Sequence, residues 1–223
     1  MEFQGFTQET LQFFLDLRFH NEKAWFEEHK EIYLEHVKAP MEALHRDLLP
    51  LMEELDPRLD LRTQRVVSRI YRDARYARGV PYRDHMWMSY KPVGKSNSEA
   101  FTYYVWLTPD EWGYGAGFYA YVPELMAEFR ARLEKEGEEF LSRLQHPGME
   151  RFGIYGDSLR RPIKNDLPKD IAPWYNKKNF GFECVRPIGP EVFTSDMAEE
   201  IREGFRALHP VYSFVTGLTQ HFE

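Results

Sequence analysis

The chain has 223 residues, enough for a substantial hydrophobic core, and is 43% hydrophobic and 29% charged. Aromatic residues make up 16%, which excludes a disordered chain, and no apolar run approaches the roughly 20 residues of a membrane span. A net charge of −7 argues against a protein that coats nucleic acid through general basicity.

The N-terminal Met1-Glu2-Phe3-Gln4 has no basic region followed by an apolar stretch, so no secretory signal is expected. Cys184 is the only cysteine, which rules out an internal disulfide and fits a reducing, cytoplasmic compartment.

Thr7 is suited to cap a first helix carrying Leu11, Phe14 and Leu15 on one face. Asn21 is suited to cap a longer one, whose apolar positions run from Trp25 through Ile32, Val37, Leu44 and Leu48 to Leu55 at a helical period. Pro40 and Pro50 are expected to kink or break it, and Asp56-Pro57 to end it. Beyond Leu61 the pattern turns to strands. Arg65 to Tyr71 reads as one, Met86 to Tyr90 as a weaker one, and Phe101 to Thr108 as a strong one. Pro109 to Gly113 reads as a turn and Gly117 to Val122 as the returning strand of an antiparallel hairpin. The hairpin is expected at the centre of the fold with both faces covered, since Tyr104 and Trp106 alternate with Tyr103, Val105 and Leu107.

Pro123-Glu124 opens a helix with Met126, Phe129, Leu133 and Phe140 on its buried stripe, weakened at Gly137 and stopped by His146-Pro147-Gly148. Residues 149–178 read as irregular, with a short helix near Ile171. Phe180 to Arg186 reads as the last strand. Thr194, Ser195 or Asp196 caps a final helix that Pro210 is expected to restart or kink. The fold class is α+β: a mostly antiparallel central sheet flanked by N-terminal and C-terminal helices. A single domain over residues 1–223 is expected, with residues 1–60 as a candidate helical subdomain.

The segment from 61 to 95 is strongly basic. It holds Arg62, Arg65, Arg69, Arg72, Arg75, Arg78, Arg83, Lys91 and Lys95, opposed by Asp73 and Asp84 alone. Arginine forks match carboxylate and phosphate oxygens, so Arg69, Arg72 and Arg75 are candidates to converge on one anion. Asp73 would orient them, with Lys91 or Lys178 opposite. The alternative is a structural network in which the same arginines pair with glutamates of the flanking helices. Residues 160–178 contain a second basic cluster: Arg160, Arg161, Lys164, Lys169, Lys177 and Lys178, interleaved with Trp174 and Tyr175. It suits either a stacking site for nucleic acid or a solvated loop with aromatics plugging the core.

The run Arg69, Arg72, Asp73, Arg75, Tyr76, followed by Pro81-Tyr82, resembles the signature of the domain of unknown function 2461, a family of bacteria and some fungi. That pattern is Arg-x-x-Arg-Asp-x-Arg-Phe followed by Lys-x-Pro-Tyr. Here Tyr76 replaces the Phe, Pro81 comes one residue early, and the lysine is absent, with Arg78 nearby as a stand-in. The Trp25-Phe26 region, Gly115 to Gly117 with Tyr119, and Lys178-Asn179-Phe180 are also similar, so the resemblance spans nearly the whole chain. It implies a compact soluble domain and supplies no activity. Tyr82, in the Pro-Tyr pair, is also a candidate ligand residue.

Gly94-Lys95-Ser96 is not a phosphate loop, because Ser89 stands at the required upstream glycine and a strand follows. Gly113, Gly115 and Gly117 lack dinucleotide-fingerprint spacing and suit a twisted or bulged hairpin. His29 and His36 are too far apart for a helical metal pair, and neither a metal nor a cofactor is expected. Asp73, His85 and Glu183 are the acid/base candidates. Three functions stay open: binding of a phosphorylated or carboxylated small molecule, a hydrolase or transferase acting on such an anion, and association with nucleic acid.

Overall fold

A computed structural model describes residues 2–73, 75, 77 and 79–218. Tyr76 and Arg78 of the arginine motif lie outside the described residues. The described elements form an α+β fold with helices at both ends of the chain. The helices are α1 (Gln8–Phe19), α2 (Lys23–Glu28), α3 (Lys30–Ile32), α4 (Ala39–Leu55), α5 (Thr63–Val66), α6 (Pro123–Leu144), α7 (Ala172–Tyr175) and α8 (Asp196–Thr216). The strands are β1 (Met86–Tyr90), β2 (Phe101–Leu107), β3 (Glu111–Phe118), β4 (Gly153–Tyr155) and β5 (Gly181–Pro187). They make one antiparallel sheet in the order β1-β2-β3-β5-β4.

The inner face of the sheet carries Tyr103, Val105 and Leu107 of β2 and Trp112 and Tyr114 of β3, all essentially without solvent contact. Helix α8 lies on this face. Tyr212 stacks on Tyr103 at 4.2 Å between ring centres, and Phe205 meets the same ring at 4.9 Å. Helices α4 and α6 flank α8, and Phe140 of α6 packs on Phe214 at 5.1 Å. Each such aromatic side chain contributes about 1.5–3 kcal/mol through burial. Several buried polar groups in this layer pair with one another. The buried carboxylate of Asp56 takes a two-pronged bond from Arg58 (2.8 and 2.9 Å) and the Tyr212 hydroxyl at 2.9 Å. His45 meets the Tyr90 hydroxyl and the Leu61 carbonyl, and His209 meets the Tyr103 hydroxyl.

Several sequence expectations need correction. The strand expected from Arg65 to Tyr71 is instead the short α5, followed by extended chain that touches the sheet through a single bridge, Val67 to Met88, and pairs with the chain ahead of β1 through another, Tyr71 to Tyr82. The returning hairpin strand begins at Glu111, not Gly117, because Thr108 closes a tighter turn by bonding the Glu111 carbonyl and amide. Asn21 caps no helix. Its amide clamps the backbone of Tyr82 from both sides, at 3.1 and 2.9 Å, and Glu22 precedes α2 instead. Pro40 breaks nothing. It cannot supply the N–H that the His36 carbonyl would otherwise receive, and the Thr10 hydroxyl donates to that carbonyl instead. The chain winds wide over Tyr33–Lys38 and then runs on as α4 through Pro50. Helix α8 likewise continues through Pro210. The bend in α6 falls at Glu136, beside Gly137, whose missing Cβ leaves room for Ile171.

The hairpin is central, as expected, but only its inner face is covered by helices. The outer face of the sheet is the floor of an open cleft, and Tyr119 beside it is 80% exposed.

Candidate functional site

The strand register sets the cleft floor as a grid. Side chains alternate across a strand, so the outward positions align in rows over the sheet. One row holds Trp87, Trp106, Gly113 and Val185. The next holds Ser89, Tyr104, Gly115 and Glu183, and the third holds Thr102, Gly117, Gly181 and Tyr155. The glycines of β3 face outward and leave space for neighbouring rings. A Cβ on Gly113 would lie 2.7 Å from the Trp106 ring, and one on Gly117 would lie 2.0 Å from the Tyr155 hydroxyl. A Cβ on Gly181 would meet that same tyrosine at 2.3 Å. Trp106 and Tyr155 therefore fill the space these glycines leave on the sheet, and both border a cleft of about 830 Å³.

Glu183 stands between these two rings in the middle row. The Trp106 indole N–H donates to its Oε1 at 2.9 Å. Tyr104 donates its hydroxyl to Tyr155 at 3.2 Å. Burial, then the neighbouring Tyr155 and Glu183, raise the Tyr104 pKa, and burial raises that of Tyr155, so both phenols are neutral at physiological pH. At the side of the cleft the Ser89 hydroxyl donates to Asn97 at 2.9 Å.

The opposite wall is basic. Arg72 and Arg83 come from the extended chain bridged at Tyr71 and Tyr82. Arg72 Nε donates to the Tyr82 carbonyl at 2.9 Å. Arg83 donates to the carbonyls of Arg69 and Tyr71 and lies 4.8 Å over the Trp87 ring. Among the described residues neither guanidinium forms an ion pair with a carboxylate. Burial and then the like charges of Arg72 and Arg69 lower the Arg83 pKa, so three arginines share one positive region. His85 borders the same wall. Its Nδ1 is 3.1 Å from Asp84, which Arg18 also grips at 2.5 Å. Burial works against the Asp84 carboxylate, but the Arg18 and His85 hydrogen bonds hold its pKa below the usual range. An ionised carboxylate only accepts, so His85 Nδ1 carries the proton and Nε2 is left to other partners.

The candidate residues read from the sequence divide as follows. Arg72, His85 and Glu183 border the cleft. Arg69 contributes charge beside Arg83 without bordering it. Asp73 pairs with Arg75 at 2.6 Å on the exposed loop, and that hydrogen bond holds its pKa at about 2. Tyr82 is buried and stacks on Phe26 at 4.2 Å, so its side chain serves the core. Lys91 is buried, with Nζ on the carbonyls of Arg65 (2.6 Å) and Ser89 (3.4 Å). It lines an adjoining hollow of about 410 Å³ that shares Asn97 and Tyr119 with the main cleft. Lys178 is exposed and borders neither space.

In the second basic cluster Arg160, Arg161, Lys164 and Lys169 are exposed, and Trp174 packs on Phe140, Phe180 and Phe182. Sequence reasoning passed over Arg83, Trp87, Trp106 and Tyr155 as site residues. The alternation of Tyr104 and Trp106 opposite three spaced glycines was the available signal. Among the described residues no group of His, Cys, Asp and Glu is placed to hold a metal ion, and no helix is long and apolar enough to cross a membrane.

The model of a conserved hypothetical protein family (DUF2461) matches residues 9–214. The chain belongs to this family. The match spans the arginine segment, the whole sheet and nearly all of α8, so every residue bordering the cleft lies within the DUF2461 unit. No curated protein matches the chain.

Proposed function

We propose that this DUF2461 protein binds a small phosphorylated or carboxylated molecule in the cleft on the outer face of its sheet. The observation that carries this reading is the pair Arg72 and Arg83, which border one aromatic-floored cleft without a carboxylate ion pair among the described residues. Guanidinium groups in that state are wet or hold an exogenous anion. A concave site with an apolar floor and a few convergent polar groups is the usual form of a ligand pocket. Glu183 at the floor interrupts the positive potential, which favours a compact anion over a nucleic-acid backbone.

An enzyme of hydrolase or transferase type acting on the same anion is the second reading. It is supported by Glu183 and His85, two proton-transfer groups bordering the one cleft.

Phosphate or sulfate, matched in ionic strength against chloride, is expected to raise the melting temperature. At about 100 times the dissociation constant the gain is about 2.7 kcal/mol. Arg72→Gln keeps a donor for the Tyr82 carbonyl and removes the charge, so it should fold and lose most of that gain. An equal response to chloride and phosphate would defeat the binding reading.

A further inference from the structure

The cleft pairs a basic wall with a floor built for something other than an anion. Trp106 and Tyr155 pack over glycine positions and both rings border the cleft. The Glu183 carboxylate stands in the row between them. Trp106 donates to that carboxylate and the Tyr104 hydroxyl lies within hydrogen-bond reach of it, which leaves part of its roughly four lone-pair sites open. What faces Glu183 must therefore donate hydrogen bonds. A wholly apolar or acceptor-rich body would strand a carboxylate against it. The faces of Trp106 and Tyr155 carry the negative side of the ring quadrupole and attract polarised C–H groups. Hydroxyl donors at the edge of a body whose flat face bears C–H groups are the signature of a sugar ring.

The arginine wall lies toward β1 and Glu183 stands on β5, three strands away. At about 4.8 Å per strand the backbones of β1 and β5 are about 14 Å apart. A single phosphate ion cannot engage both ends. Resting on the anion-binding reading above, we propose that the ligand is an anionic carbohydrate: a sugar phosphate whose ring lies over Trp106 and Tyr155. Its hydroxyls donate to Glu183 and its phosphate meets Arg72 and Arg83.

Calorimetric titration of the full chain with glucose 6-phosphate, ribose 5-phosphate, AMP and inorganic phosphate tests this. At least one sugar phosphate should bind ten-fold or more tightly than inorganic phosphate. Glu183→Gln keeps an acceptor for the Trp106 N–H. It should cost that sugar phosphate about ten-fold and leave inorganic phosphate unchanged. Arg72→Gln should weaken both. If neither sugar phosphate binds more tightly than inorganic phosphate, the carbohydrate proposal fails and the anion site stands. If AMP binds more tightly than ribose 5-phosphate, the floor takes a base and the carbohydrate proposal fails. If no anion binds, both readings fail.

Discussion

Trp106 of β2 lies across Gly113 of β3, and its indole N–H reaches Glu183 of β5, 2.9 Å away. One side chain thus spans three strands and fixes the only carboxylate bordering the cleft among the described residues. The reach depends on the absence of a Cβ at position 113, where that atom would come within 2.7 Å of the ring and 2.9 Å of the Cys184 carbonyl.

Gly113→Ala is therefore expected to displace Trp106 and to destabilise the fold by about 1–3 kcal/mol, the usual cost of overpacking. Urea unfolding would measure the loss. Near-ultraviolet circular dichroism should show a changed tryptophan environment in the native state. An unchanged spectrum with unchanged stability would mean that the ring does not rest on this glycine.

Stability should also fall as the pH drops below neutrality. Burial lowers the pKa of His45 and of His209 from the usual value of about 6.5. The unfolded chain therefore takes up protons at a pH where the folded one does not. The stability these neutral imidazoles contribute is fully present above about pH 6.5 and is lost as the pH falls toward their lower folded values. Asp56 and Asp60 are held below ordinary carboxylate values, so their contributions are lost only at lower pH. Thermal melts between pH 7.5 and 5.5 should show a falling midpoint, with a shallower slope for His45→Gln. A flat profile over that range would contradict the buried neutral state.

The long helices were legible because their buried positions recur at a helical period. The positions of Met126, Phe129, Leu133 and Phe140 repeat at a helical period, and all four are buried in α6. The hairpin was legible in the aromatic and β-branched run of β2. Residues 65–71 misled because Val66, Val67 and Ile70 are apolar, whereas their backbone makes a four-residue helix and isolated bridges that tertiary contacts impose. The cleft was harder still. Glu183 and Trp106 are 77 residues apart and meet only through the β3–β5 register. The spaced glycines were visible, but their meaning depends on which rings the neighbouring strands bring to them. Arg83 looked like one more cation in a basic segment until the Tyr71–Tyr82 bridge set it over Trp87.

The packing of α8 on the sheet sets two opposing effects against each other at Gly204. Alanine is favoured over glycine inside a helix by about 0.8–1 kcal/mol. An ideal Cβ at this position would, however, lie 2.1 Å from the Tyr114 ring, a side chain with no solvent exposure that is also bonded to Glu200 at 3.3 Å. The ring is hemmed in by Trp112, Phe152 and Phe205 and cannot swing aside without moving them. Forcing the helix outward instead would loosen the Tyr103 and Tyr212 stack. The steric cost, about 1–3 kcal/mol for an added methyl group in a packed core, should exceed the helical gain. Gly204→Ala is expected to lower stability in urea titration. A variant more stable than the parent would show that α8 can ride away from Tyr114, and that the contact between helix and sheet is looser than these distances require.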